Sequence, residues 1–334
     1  MASMSIQVFD VGQGDSIFTI FPDGTTMLVD MGSTKSKRAV RGDVTAYFRE
    51  RTKFGTPGQT LDYLVLTHGD IDHYNLVEGF LDTFRITVAN VLYGGLPQDY
   101  GDLIGVLGSR QPAGPNVLGD PQHYPHRLNT FGGAELWLLG MDTRPITRVG
   151  DDGHRKNTSS VVLQIRYGGN EVLLTGDATR DTEQTILTQY ASDPKLVAGL
   201  RSTVLKAEHH GSARTSFLPA WVKSVQPEYV FISSDRHGRY FLPQELAVDI
   251  IRENTKLAAA DQHTYVSWYD PGDYGAPKAG FAGRDWYLLN TTEAIFTTLI
   301  ALDFKGHDGV VGDVGSDYQI TLHANGVVDV TPWT

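Results

Sequence analysis

Four side chains of the kinds that bind divalent cations occur within six residues, at His68, Asp70, Asp72 and His73. Alternate residues of an extended segment point to the same side, so the first three can converge on one point. His73 follows where a helix is predicted to begin. Without a cation, the two carboxylates would repel each other in a partly desolvated loop, whereas bound cations would turn that repulsion into attraction. The segment therefore predicts a metal site rather than a solvated polar loop.

A third carboxylate follows a separate predicted strand. Asp177 comes after the apolar stretch 171–174 through a Thr-Gly pair. A Gly-Asp turn is common by itself. At the carboxyl end of a buried strand, in a chain that already carries the first cluster, such a carboxylate suits a cation site. We therefore expect Asp177 to bridge two metal ions.

Two adjacent histidines, His209 and His210, follow the predicted strand 204–207. Adjacent residues of an ideal strand point to opposite faces, so the pair predicts a bend in the chain, helped by Gly211. One imidazole can bind metal, and the other can transfer a proton or be oriented by a neighbour. Our assignment gives the metal to His209 and the proton transfer to His210, with Asp72 as the other catalytic residue.

The predicted elements place these clusters at the ends of strands. Residues 61–66 are continuously apolar, as in a buried strand, and apolar residues at 76–84 share one helical face. The first cluster thus lies between a strand's carboxyl end and a helix, where active sites of α/β proteins gather. Strands are predicted at 6–9, 17–21, 27–30, 61–66, 88–93, 135–139, 161–165, 171–174, 204–207, 229–232, 319–323 and 327–330, and helices at 35–50, 76–84, around 186–187 and at 217–225.

The composition bounds the class of protein. Hydrophobic residues make up 40% of the 334 residues, there is no cysteine, and the net charge is −11. Thiolate metal sites and a cysteine nucleophile are excluded, and the acidity argues against a groove that holds long nucleic acid. We expect a cytoplasmic protein without a secretory signal or membrane partner. With no repeat or linker, residues 1–334 are expected to form one domain with loop insertions at about 94–133 and 265–300.

The ordered motifs resemble those of the metallo-β-lactamase superfamily, and more narrowly the hydrolase domain of ComEC-like competence proteins. The resemblance runs from about residue 5 to 245. It implies an α/β fold, the αββα four-layer sandwich, with a two-metal site at the edge of the inner sheets. The motifs that carry it are DVGQGDS at 10–16, LVD at 28–30, THGDIDH at 67–73, LTGD at 174–177 and HHGS at 209–212.

The resemblance also implies a ligand set and an oriented loop. One metal would take His68, Asp70, Asp177 and a histidine of the 209–210 pair. The other would take Asp72, His73, Asp177 and one further histidine, while Asp30 would orient the metal-binding loop. Carboxylate-rich sites suit Mn²⁺ as well as Zn²⁺, so the two divalent cations are expected to be one of these.

One family position departs from the pattern. ComEC-like domains carry a final His-Pro where this chain has Leu242 before Pro243. His237 can replace the missing ligand if the loop is remodelled. Otherwise the second metal is weakly held, the site works with one metal, or the protein is a degenerate binding protein.

Two residues outside the ligand set are candidates for contact with the substrate or the metals. Asn157 lies where the ComEC-like pattern has an asparagine, although a plain turn residue is the alternative. Arg236 follows the metal motifs and can bind a phosphate group, although ordinary surface charge is the alternative.

The expected function is that of a two-metal hydrolase in which the cations activate a bridging hydroxide. The resemblance points to a phosphodiester substrate, with nucleic acid among the candidates, and so to a phosphodiesterase or nuclease. The alternatives are hydrolysis of a small ester, a lactone or a nucleotide, and a binding protein without activity.

Overall fold

A computed structural model describes residues 3–9, 11, 13–34, 40, 42–110, 114–119, 123–143, 151–234, 242–255, 263–266 and 317–333. The strands of this part are β1 (Ser3–Val8), β2 (Ser16–Ile20), β3 (Thr26–Met31), β4 (Thr60–Leu66), β5 (Thr87–Tyr93), β6 (Asn116–Val117), β7 (His126–Phe131), β8 (Ala134–Gly140), β9 (Val162–Tyr167), β10 (Asn170–Leu174), β11 (Val204–Lys206), β12 (Tyr229–Ile232), β13 (His263–Val266), β14 (Asp317–His323) and β15 (Val328–Trp333).

The helices of the same part are α1 (Gly42–Arg51), α2 (Ile71–Tyr74), α3 (Val77–Phe84), α4 (Leu103–Ser109), α5 (Asp152–Thr158), α6 (Arg180–Tyr190), α7 (Pro194–Ala198), α8 (Pro219–Val225) and α9 (Glu245–Asn254). Short 3-10 helices lie at Lys53–Gly55, Pro97–Tyr100 and Glu208–Gly211. None of the helices in the described part combines the length and apolar character needed to cross a bilayer.

The described strands form two mixed sheets, with orders β15-β14-β1-β2-β3-β4-β5-β6 and β13-β12-β11-β10-β9-β8-β7. In each sheet an antiparallel half joins a parallel half. Strands β3 to β6 are parallel in the first sheet, and strands β10 to β13 are parallel in the second. Strand β14 pairs antiparallel with β1, with Ile320 opposite Ile6, so residues far apart in sequence share one sheet.

Alternating strand residues divide the core into clusters, and these clusters define four layers. Val29 of β3 and Leu174 of β10 lie in the apolar cluster between the two sheets. Their neighbours on the opposite faces pack against helices: Leu28 lies with α1 and α3, and Leu173 lies with α6 and α8. Because side chains alternate along a strand, one face of each sheet packs against the other sheet and the opposite face packs against helices. The predicted αββα sandwich is confirmed.

Segment 94–133 holds more regular structure than the loop insertion that we predicted. It contains α4, β6 and β7, and β7 pairs antiparallel with β8 at the edge of the second sheet. Most residues of β7 are exposed, so its sequence lacks the apolar alternation that marks a strand. Of the second predicted insertion, residues 267–300 lie outside the described residues. One domain over residues 1–334 stays a prediction.

Candidate metal centre

The predicted ligand clusters lie directly after the carboxyl ends of strands from both sheets. The first follows β4, which ends at Leu66, and continues into α2. Asp177 follows β10, and the histidine pair follows the parallel strand β11. Loops at the carboxyl ends of parallel strands meet at one edge, so the fold brings distant residues together.

The carboxylate of Asp177 lies at the centre of the cluster. Its Oδ2 is 3.8 Å from His68 Nε2, 3.6 Å from His209 Nε2 and 3.3 Å from the same atom of His210. Its Oδ1 is 3.3 Å from His73 Nε2. Burial by itself would raise the pKa of Asp177, but the surrounding imidazoles outweigh burial and hold this pKa well below its usual value. A charged carboxylate faced by four imidazoles can bridge two cations.

Asp30 orients the first metal-binding loop from β3. Its Oδ1 accepts the Thr67 backbone N–H at 2.7 Å, and its Oδ2 accepts the Thr67 hydroxyl at 2.6 Å. The same Oδ2 lies 2.8 Å from His73 Nδ1, and Thr67 Oγ1 lies 3.1 Å from His68 Nδ1. A carboxylate only accepts, so a neutral His73 donates from Nδ1 to Asp30. Because the Thr67 hydroxyl donates its proton to Asp30, its oxygen accepts from the Nδ1 of a neutral His68. Both rings then turn the lone pair of Nε2 towards Asp177. Histidines that bind metals are commonly oriented in this way.

The predicted bend at the histidine pair is confirmed. His209, His210 and Gly211 have φ values of 43°, 52° and 81°, in the left-handed region that non-glycine residues rarely adopt. His210 is fully buried, and its Nδ1 donates to the Ser233 carbonyl at 2.6 Å. His209 is about one fifth exposed, its Nδ1 pairs with Thr215 Oγ1, and burial lowers its pKa to about 4. The geometry therefore favours His210 as a ligand rather than as the proton donor that we assigned from sequence.

The two remaining carboxylates differ in exposure. Asp72 Oδ2 lies 3.6 Å from His210 Nε2 and accepts a hydrogen bond from Gln13 Nε2 at 3.1 Å. Asp70 Oδ2 lies 3.7 Å from His68 Nε2, and its side chain is 31% exposed. Asp70 therefore marks the open side of the cluster.

The predicted residues near position 240 and Asn157 fare differently. His237 and Arg236 lie outside the described residues, so their roles stay predictions. Leu242 is buried in the core. Asn157 lies in the last turn of α5 and is buried, and its Oδ1 has no hydrogen-bond partner in the described part of the chain.

The donor set fits divalent cations. Buried polar atoms are normally hydrogen-bonded, yet His68 Nε2 and Asp177 Oδ1 lack such a partner within the described ranges. Ligand atoms of His68, His73 and Asp177 lie within 4.8 Å of one another, as do those of Asp72, His73 and His210. Imidazole nitrogens mixed with carboxylate oxygens suit Zn²⁺ or Mn²⁺.

A buried ion pair beneath the cluster was missed from sequence. Lys206, the last residue of β11, places Nζ 2.5 Å from Asp15 Oδ2 and donates to the Gly176 carbonyl at 3.0 Å. The same ammonium lies 3.9 Å from Asp177 Oδ1, and both paired side chains are 2% exposed. A lysine inside the apolar stretch 204–207 was the available signal, because lysine is almost never fully buried unless it is paired.

Two glycines allow the loops to close over Asp72. A Cβ on Gly32 would lie 2.3 Å from the Asp72 carbonyl oxygen, and a Cβ on Gly14 would lie 2.5 Å from it. The backbone N–H of Asp15 donates to the same carbonyl. The glycine before Asp15 is therefore required by close packing against the metal-binding loop.

Comparisons with known proteins agree with the ComEC-like resemblance. The chain is 25% identical over 272 residues to ComE operon protein 3 of Bacillus subtilis, which covers 79% of this chain and 32% of that protein. It is 28% identical over 265 residues to competence protein ComA of Neisseria gonorrhoeae, which covers 77% of this chain and 31% of that protein. The chain thus spans about a third of the length of the curated relatives it matches.

Solved structures show more distant likenesses. A metallo hydrolase from Ignicoccus hospitalis has a TM-score of 0.44 at 17% identity, covering 78% of this chain and 94% of the other. A metallo-beta-lactamase superfamily protein from Sulfolobus tokodaii has a TM-score of 0.33 at 16% identity, covering 61% and 79%.

The family itself is shown by a longer match. The family model described as the metallo-beta-lactamase superfamily matches residues 10–218, which is more than half of the chain. This range contains the loop at 67–73, Asp177 and the histidine pair. By its sequence and its four-layer fold, the chain belongs to the metallo-β-lactamase superfamily and is a metal-dependent hydrolase.

Proposed function

We propose that the chain is a phosphodiesterase or nuclease that uses two divalent cations, Zn²⁺ or Mn²⁺. The observation that carries the proposal is the Asp177 carboxylate, which has four imidazole nitrogens between 3.3 and 3.8 Å from its oxygens. A single buried carboxylate shared by so many ligands suits two cations better than one.

The ligands divide into two sets around Asp177. His68, Asp70 and His209 would hold one cation on the open side. Asp72, His73 and His210 would hold the other, and the ligand atoms of these three lie within 4.8 Å of one another.

In this division each member of the histidine pair serves one cation. The second cation then has three side-chain ligands besides Asp177. A histidine at position 242 is not required, so the presence of Leu242 does not leave this set incomplete. His237 is not needed for this set.

When bound, the cations would supply Lewis acidity and bring the pKa of a water molecule close to neutrality. The chain's own groups keep the ligands oriented. Asp30 holds His73 through Nδ1, the Ser233 carbonyl holds His210, and Gln13 holds Asp72. Because these supports are built before any substrate arrives, little reorganisation is required during the reaction.

A phosphodiester is the substrate class that the relatives favour. The similar proteins include a competence protein and a recombination protein, names that agree with a nucleic-acid substrate. The net charge of −11 favours a short or single-stranded phosphodiester over a long duplex, because tracking a duplex requires many cationic side chains.

The test is cleavage of bis(4-nitrophenyl) phosphate by protein loaded with Mn²⁺ or Zn²⁺, compared with protein treated with EDTA. We expect turnover that requires metal and that is lost in Asp177→Asn. Cleavage of neutral esters or lactones alone would replace the phosphodiesterase proposal. No hydrolysis with either metal would identify a binding protein. Cleavage of single-stranded DNA that weakens steeply with added salt would identify a nuclease.

A further inference from the structure

Helix α5 brings a positive charge to the open side of the candidate metal centre. Lys156 Nζ lies 3.4 Å from Asp70 Oδ1, and Asp70 is the most exposed of the carboxylates in the ligand set. The lysine side chain is 21% exposed, so it is largely buried but still in contact with solvent. Lys206, another positively charged side chain of the described residues beside the ligands, is buried and paired with Asp15.

Two side-chain contacts fix the position of α5. Arg155 binds Asp99 through both nitrogens, at 2.9 and 2.5 Å, and Asp99 is only 5% exposed. His154 Nε2 lies 2.9 Å from Asp181 Oδ2 at the start of α6. A bidentate arginine–carboxylate pair is geometrically specific. The backbone that carries Lys156 is therefore anchored on two sides.

The partners of Lys156 do not account for its charge once the site is loaded. Its close partner, Asp70, is a ligand whose negative charge would be shared with a cation. Among the described residues its other ion-pair partner is Asp152, which lies 3.9 Å away and is 71% exposed, so that pair is weak. Asp99 also interacts with the Lys156 charge, but its carboxylate is already bound by Arg155. An ammonium beside a loaded two-metal centre is suited to an anion that enters from the open side.

We propose that Lys156 binds a non-bridging oxygen of the substrate phosphate and so makes the site selective for anionic phosphodiesters over neutral esters and lactones. This inference rests on the proposed function and names its specificity-determining residue. No bond is made or broken by Lys156 in this role. It supplies a fixed positive charge and a hydrogen-bond donor at the rim of the site.

The test uses three variants of the metal-loaded protein. Lys156→Met removes the charge and keeps the length of the side chain, Lys156→Arg keeps the charge, and Lys223→Met removes an exposed lysine of α8 as a matched control. One readout is the kcat and KM for bis(4-nitrophenyl) phosphate, with neutral 4-nitrophenyl acetate as the second substrate. The other is the Kd for inorganic phosphate by calorimetry, and elemental analysis checks that each variant holds as much metal as the wild type.

We expect Lys156→Met to raise the KM for the phosphodiester and the Kd for phosphate by about tenfold, which corresponds to about 1.4 kcal/mol. The kcat and KM of Lys156→Met for neutral 4-nitrophenyl acetate should stay within about twofold of the wild-type values. Lys156→Arg keeps the charge and Lys223→Met lies outside the site, so both should keep the KM for the phosphodiester and the Kd for phosphate within about twofold.

The outcomes separate this inference from the proposed function. Unchanged phosphate binding in fully loaded Lys156→Met overturns the role of Lys156, whether or not the wild type cleaves phosphodiesters. Weaker phosphate binding in this variant, with no phosphodiester cleavage by the wild type, supports the anion site and overturns the proposed reaction. Loss of metal from Lys156→Met without a direct effect on phosphate would mean that Lys156 acts through Asp70, and would also overturn the inference.

Discussion

Replacing Lys206 by methionine should destabilise the metal-free protein strongly. The substitution leaves the Asp15 carboxylate buried, with its Oδ1 already lacking a hydrogen-bond partner within the described part of the chain. Removing one member of a buried ion pair costs about 3–5 kcal/mol, because the remaining charge is uncompensated. Asp15 can avoid this cost by taking up a proton. Because pH 7 lies about 3 units above the unfolded pKa of an aspartate, protonation at that pH costs about 4 kcal/mol. The two routes agree in size.

The magnitude predicts a measurable loss of thermal stability that depends on pH. A destabilisation of about 4 kcal/mol corresponds to a fall in Tm of about 6 °C for a chain of this size. At pH 5 protonation of Asp15 costs only about 1.5 kcal/mol, so the difference from the wild type should shrink there. Circular dichroism of EDTA-treated protein at both pH values measures the effect.

Two controls separate the ion pair from general disturbance of the core. The double variant Asp15→Asn with Lys206→Met removes both charges and should regain most of the lost stability, since replacing a whole buried pair is often close to neutral. The exposed Lys223→Met should leave the Tm unchanged. A Lys206→Met protein that melts like the wild type at pH 7, or a double variant no more stable than the single one, would refute the reasoning.

Two further predictions concern metal affinity and pH. Asp30→Asn should lower metal affinity about 10- to 100-fold in metal titrations, because His73 loses the carboxylate that orients it. Asp62→Asn removes a carboxylate of β4 that binds Thr26 rather than a predicted ligand, and it should leave metal affinity unchanged. Equal affinities of Asp30→Asn and the wild type would contradict the role of Asp30. Burial together with the charge of Glu208 raises the pKa of Glu183, so its folded form binds a proton that the unfolded chain releases near its ordinary pKa of about 4.3. The stability of the metal-free protein should therefore fall as pH rises from about 4.3 through that raised pKa, and thermal scans of Glu183→Gln should show a flatter decline, whereas parallel profiles would disprove it.

The ligand cluster was predictable because its chemistry is local. His68, Asp70 and Asp72 are close in sequence, and their mutual repulsion can be recognised without knowing the fold. Asp177 was identified because it follows a strand whose apolar run is visible in the sequence. The bend at the histidine pair also followed from local geometry, since adjacent strand residues cannot face the same side.

The rest depended on contacts between residues distant in sequence. Asp15 and Lys206 are separated by nearly two hundred positions, and their pairing exists only because the two sheets meet at one edge. The position of the buried His210 ring depends on its hydrogen bond to the carbonyl of Ser233, which follows β12. Strand β7 was missed because exposure at a sheet edge removes the alternation by which strands are recognised.

The most direct test of the account is the number of metal ions bound by each chain, measured by elemental analysis after loading with Zn²⁺ or Mn²⁺ and removal of excess metal. The account predicts two equivalents in the wild type. It also predicts that Asp177→Asn, which weakens the ligand common to both sets, loses both ions rather than one. A wild type that holds one equivalent or none, or an Asp177→Asn variant that keeps two, would contradict the bridging role of Asp177 and with it the two-metal centre.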